Sequence, residues 1–210
     1  SGAQVSFSSA ADFVSFDGNV SGSTIYSGGG NDTLNFASMT TAVFADALAS
    51  GAQVSFSSAA DFATFSGTIG AATIYGGSGN DSLIFSNTLN STTLSGGAGN
   101  DVFSGSVTIG TGGVSFWGGS GNDTFNFSTI TGTGGTAYFW NESGDDSIIF
   151  GSSISNASNG AGAFFGITAN AGLAISFTGG QTSIGFGAGG GGISNLFNIA
   201  GGAGSNVATF

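Results

Sequence analysis

Apolar residues recur in this chain at fixed distances from a set of acidic ones. Aligning Asp12, Asp32, Asp61, Asp81, Asp101, Asp123 and Asp146 places Val5, Ile25, Val54, Ile74, Leu94, Phe116 and Phe139 seven positions earlier. Two positions later stand Val14, Leu34, Ala63, Leu83, Phe103, Phe125 and Ile148. Four positions later stand Phe16, Phe36, Phe65, Phe85, Gly105, Phe127 and Phe150. Alternation of period two on both sides of a short Gly-rich stretch predicts strand, tight turn, strand and a looser return.

The aligned acids are separated by 20, 29, 20, 20, 22 and 23 residues, so one unit is about 20 residues long. The long step predicts an insertion near 39–51, as a short helix or a protruding loop. A larger block is also duplicated: SGAQVSFSSAADFVSF from Ser1 returns as SGAQVSFSSAADFATF from Ser50, and Thr24–Phe36 returns as Thr73–Phe85. A unit this short cannot bury its own apolar face, whereas stacked units can. The expected fold is all-β, a right-handed parallel β-solenoid of about 20–23 residues per coil with one Gly-rich Asp turn in each. Residues 1–150 form the coils that carry the Asp turns. Residues 151–210 read as an uncharged, Gly-rich apolar continuation, or as a cap or assembly segment.

Composition narrows the chemistry. The 210 residues include 42 Gly, 21 Phe and 11 acids, with no Lys, Arg, His, Cys or Pro, for a formal charge of −11. Without a cation the chain cannot neutralise phosphates, which excludes nucleic-acid binding and docking on anionic membranes. Without Cys or His there is no zinc, haem or iron–sulfur site, and no Ser–His, Cys–His or Ser–Lys pair. No apolar run reaches the length of a membrane span. The chain starts at Ser1 without Met, as a processed protein or a piece of a longer one would. Paired carboxylates alone could serve a lyase or glycosidase. Glu142, Asp145 and Asp146 form the sole such cluster, and a turn column explains them better, so no enzyme is expected.

The best turns read GGSGND (Gly76, Gly77, Gly79, Asp81), GGAGND (Gly96, Gly97, Gly99, Asp101) and GGSGND (Gly118, Gly119, Gly121, Asp123), followed by ESGDD with Gly144 and Asp146. With the x-apolar-x that follows, they resemble the GGxGxDxUx pattern of RTX calcium-binding β-rolls. The likeness covers roughly Ser23–Phe150, with one good copy per coil where that family has two. It is similar to the RTX solenoids of bacterial surface proteins. The resemblance implies export, folding on contact with extracellular calcium, and a place outside the cell.

The residues point the same way. Glycine turns free carbonyl oxygens to face the gaps between coils, and an Asp from each coil adds a carboxylate, which suits Ca²⁺. Stacked carboxylates repel, and no Lys or Arg can offset them. The other reading is that Asn-Asp closes an Asx turn on its own backbone. The expected sites are the three gaps between Asp81, Asp101, Asp123 and Asp146. Ala10 and Ala59 replace glycines beside Asp12 and Asp61, where weak or empty sites are expected, leaving Asp32 with poor neighbours on both sides.

Tyr26, Tyr75, Trp117 and Trp140 each follow an inward residue and are expected outside, either as a strip for a neighbouring subunit or a surface polysaccharide, or stacked on one another. Residues 147–210 contain no ionisable side chain, a composition that favours pairing with other copies of the chain. The function expected is an extracellular structural protein that self-assembles into a filament, sheath or surface layer. An adhesin or ice-binding module is the alternative, although Thr is absent from the position before Gly-Asn-Asp that ice-binding RTX solenoids use.

Overall fold

The computed structural model describes residues 2–132, 135, 137–156, 163–167, 172–177, 182–186, 197–200 and 206–209, with side chains through residue 140 and over 142–149. Every described element is a β-strand, and every strand pair is parallel. The chain winds as a parallel β-solenoid in which each residue stacks on its counterpart one coil away. Among the described residues no helix is long and apolar enough to cross a membrane.

One inward column runs Val14, Leu34, Val54, Ile74, Leu94, Phe116, Phe139. Another runs Val5, Ile25, Phe44, Phe65, Phe85, Gly105, Phe127. The flanking positions point outward, so the period-two pattern becomes a closed apolar interior. Within columns the rings lie face to face: Phe16 on Phe36 at 4.7 Å, Phe44 on Phe65 at 4.6 Å, and Phe116 on Phe139 at 5.0 Å. Those separations match the spacing of hydrogen-bonded strands, so each ring meets its neighbour without leaving its own coil.

These columns correct the sequence alignment. Val5 and Ile25, seven before an Asp, stack on Phe44 and Phe65, and Phe65 is itself four after one. Val14 and Leu34, two after an Asp, stack on Val54 and Ile74, which precede one. The chain has slipped by half a coil. No loop protrudes at 39–51 and no helix forms there: the strand Thr33–Phe44 runs on, and Leu48 bridges to Ile69. Coil length is conserved, since Leu34 pairs with Val54 and Ile25 with Phe44. The 29-residue step is therefore about one and a half coils, and the 49-residue duplication about two and a half. Duplicate turns consequently face opposite edges of the solenoid.

Beyond residue 150 the strands Ala163–Ile167, Gly172–Phe177, Thr182–Phe186, Phe197–Ala200 and Asn206–Thr209 pair in the same parallel manner. The side chains of residues 150–210 lie outside the described set.

Candidate metal centre

The seven aligned aspartates form two files. Asp12 and Asp32 stand on one edge, and Asp61, Asp81, Asp101, Asp123 and Asp146 on the other. A single acidic edge of seven, as the alignment predicts, is thus replaced by a short file and a long one. Tyr26 goes with the short file. Tyr75, Trp117 and Trp140 share an outward column with Ser55 and Ser95. The Trp117 and Trp140 rings stack at 4.8 Å and 13°, so they spend a face on each other.

In the long file the backbone holds each carboxylate by one oxygen. Asp61 N–H donates to Asp81 Oδ1 at 2.8 Å, Asp81 N–H to Asp101 Oδ1 at 2.8 Å, Asp101 N–H to Asp123 Oδ1 at 2.8 Å, and Asp123 N–H to Asp146 Oδ1 at 2.7 Å. For Asp81, Asp101, Asp123 and Asp146 the donor is the preceding coil and not the residue's own turn, which disposes of the Asx closure at these four. A second ladder, which sequence reasoning missed, runs the opposite way. Asn80 Oδ1 accepts from Asn100 N–H, Asn100 Oδ1 from Asn122 N–H, and Asn122 Oδ1 from Asp145 N–H, at 2.7–2.9 Å. Recurrence of Asn before the Asp was the available signal.

The other carboxylate oxygen is the telling atom. Oδ2 of Asp61, Asp81, Asp101, Asp123 and Asp146 is buried and accepts no hydrogen bond, and the same holds for Asp32. Burying an ionised oxygen without a partner is strongly unfavourable. Burial accordingly pushes the Asp81 and Asp123 carboxyls up to about 7 and Asp146 to about 6, against the hydrogen bond from the preceding coil. Asp32, Asp61 and Asp101 are raised for the same first reason.

The glycines explain what space faces that oxygen. A Cβ on Gly76 would collide with Asp81 Oδ2 and the Gly96 carbonyl oxygen. On Gly96 it would collide with Asp101 Oδ2 and the Gly118 carbonyl oxygen, and on Gly118 with Asp123 Oδ2. Each glycine thus keeps open a point where carboxylate and, at the first two, a carbonyl of the next coil converge. Further along each turn Gly77, Gly97 and Gly119, and Gly79, Gly99, Gly121 and Gly144, adopt φ of +103° to +129°. Only glycine takes that conformation readily.

The turns with Ala close differently. Ser8 N–H and Oγ donate to Asp12 Oδ2 at 3.0 and 3.1 Å, and Ala10 N–H donates to Ser8 Oγ. Asp12 therefore does close on its own turn. In the coil of Asp61 the place of Gly76 is taken by Phe56, whose side chain is buried.

Four stretches of the chain, 17–38, 64–85, 90–107 and 110–129, match the family described as the RTX calcium-binding nonapeptide repeat. They contain the turns that end at Asp32, Asp81, Asp101 and Asp123. With parallel coils and Gly-Asp turns stacked in file, the assignment follows. The chain is an RTX-type β-roll repeat protein. No curated protein and no solved structure matches it.

RTX repeats bind calcium, and the residues of this β-roll fit that ion. The donors are hard oxygens only, as Ca²⁺ prefers. Among the described residues no three acidic side chains converge on one point, so backbone carbonyls must complete any shell. Asp81, Asp101, Asp123 and Asp146, with the carbonyls of Gly96 and Gly118, would hold it. Bound calcium supplies the positive charge that the sequence lacks, and so ties successive coils together.

Two consequences can be measured. Metal-free, the folded RTX coils keep protons on Asp81, Asp123 and Asp146 up to about pH 6–7, whereas an unfolded chain releases them near pH 4. The folded state then binds more protons than the unfolded one, so stability falls as pH rises between these limits. Thermal melts in chelator should show the highest midpoint near pH 4 and a decline through pH 7; saturating calcium should abolish the decline. Asp101→Asn removes a buried charge and one carboxylate oxygen. At pH 7.5 it is expected to stabilise the metal-free protein, because burial raises the Asp101 carboxyl and penalises its charged form. With calcium at a hundredfold excess it should cost about 2–3 kcal/mol through a lost site. A change of the same sign in both conditions would contradict this assignment.

Proposed function

We propose that this β-roll is an extracellular structural element of a bacterial cell surface, stiffened by calcium, that associates with copies of itself into a filament, sheath or surface layer. RTX repeats occur in secreted bacterial proteins, and calcium is abundant outside the cell. The observation that carries the reading is the in-register parallel stack itself. Its described strands carry no Lys, Arg or Pro, and the Phe13 ring is 76% exposed. Strands whose free edge carries no Lys, Arg or Pro are templates for further pairing. The RTX repeat is a calcium-binding scaffold, not itself catalytic, and we assign no enzyme activity to the chain.

Negative-stain microscopy with and without calcium tests this. Ordered filaments or lattices that need calcium are the expected result; dispersed single rods at all concentrations would reject self-assembly. Rods that bind a surface polysaccharide would favour the adhesin reading, for which exposed Tyr75 and Tyr138 beside the Trp117–Trp140 stack are the relevant groups.

A further inference from the structure

The turn ending at Asp32 matches the calcium turns with one telling exchange. Ser27 stands where Gly76, Gly96 and Gly118 stand, five residues before the acid. It is 1% exposed. Its Oγ lies 2.9 Å from the Ala47 carbonyl oxygen and 3.1 Å from Asp46 Oδ1, sharing its one proton between them. The Ala47 carbonyl oxygen faces the Ser27 side chain much as the Gly96 carbonyl oxygen faces the place a Cβ on Gly76 would take. The Ser27 side chain enters the place that glycine keeps clear elsewhere.

Asp46 completes the closure. It lies in the third coil, yet Ser27 N–H donates to its Oδ1 and Gly28 N–H to its Oδ2, both at 2.8 Å. Two successive backbone N–H groups and a hydroxyl thus hold the Asp46 carboxylate and satisfy that anion without a metal, although Asp32 Oδ2 in the same turn still accepts no hydrogen bond. The same junction carries the pairing of Ser23, Thr24 and Ile25 with Ala42, Val43 and Phe44 and the packing of Phe36 against Phe56.

We propose that Ser27 and Asp46 form a polar staple that stands in for a calcium ion between the second and third coils. The N-terminal coils then stay assembled without metal, whereas the coils from Gly76 onward order with calcium. The inference rests on the reading that calcium occupies the long-file gaps. It makes calcium dependence a property of one stretch of the solenoid rather than of the whole.

Hydrogen exchange on the intact chain, read by mass spectrometry after peptic digestion, tests both parts. In chelator, peptides over Ser23–Ala47 should exchange about 100-fold more slowly than those over Gly96–Asp123, and calcium should slow the second set about 100-fold while changing the first less than about threefold. Asp46→Asn should speed exchange over Ser23–Ala47 in chelator about tenfold and leave the calcium response of Gly96–Asp123 intact. Equal exchange of both regions in chelator, or equal protection of both by calcium, would overturn the staple while the calcium reading stands. Absence of any calcium effect over Gly96–Asp123 would overturn the calcium reading and, with it, the idea that the staple replaces an ion.

Discussion

Stripped of calcium at pH 7.5, the coils between Gly76 and Asp146 are expected to lose their fixed structure. Five aspartates in the long file each bury an oxygen that no donor reaches, and the chain has no cation to offer them. An ion held at a hundredfold excess over its dissociation constant contributes about 2.7 kcal/mol per site. Ions beside Gly76, Gly96 and Gly118 together would contribute about 8 kcal/mol, comparable with the whole stability of an ordinary domain. Calcium should therefore raise the melting midpoint by about 20 °C. Magnesium demands a tight octahedral shell and keeps its waters, so an equal concentration should shift the midpoint by only a few degrees. Circular dichroism across the two titrations reads this directly, and an equal response to both ions would contradict it.

Gly97→Ala should be among the most damaging single-methyl additions. Gly97 has φ +108°, and an added Cβ would strike the carbonyl oxygen and flanking backbone of Gly77. Gly77 is itself wound at φ +104° and cannot step aside. Strain from the left-handed conformation adds to the overlap, for a loss of about 3–5 kcal/mol and about 10 °C in midpoint even with calcium present. Gly18→Ala is the control, because nothing lies within 4 Å of the new Cβ. Its expected change is within about 0.5 kcal/mol. Equal midpoints for the two variants would show that the repeated glycines serve some purpose other than backbone geometry.

The repeat made much of this legible. Alternation around each Gly-Asp turn identified the inward side chains, because a strand's period leaves little choice once the turn is located. The file from Asp81 to Asp146 and its glycines were read directly, since a repeated turn in a stacked coil can only recur at the same edge. What misled was the long step between Asp32 and Asp61. Aligning acids presumes that every coil begins at its acid, so nine surplus residues read as an insertion. In space Leu34 meets Val54 and Ile25 meets Phe44, and the same residues supply half a coil without a motif. Both flanks of the turn alternate with period two and both end in large apolar residues, so either can stack on the other. No local pattern in the sequence reveals that exchange. Asp46 escaped for a related reason: it belongs to no repeat, and it matters only because the half-coil shift brings it beneath Ser27 and Gly28.

The most direct measurement is anomalous scattering from crystals grown with calcium. One peak is expected beside each of Gly76, Gly96 and Gly118, within contact of the Asp81, Asp101 and Asp123 Oδ2 atoms, and none beside Ser27. Peaks confined to the Asp12–Asp32 edge, or no peak along the file from Asp81 to Asp146, would contradict the account.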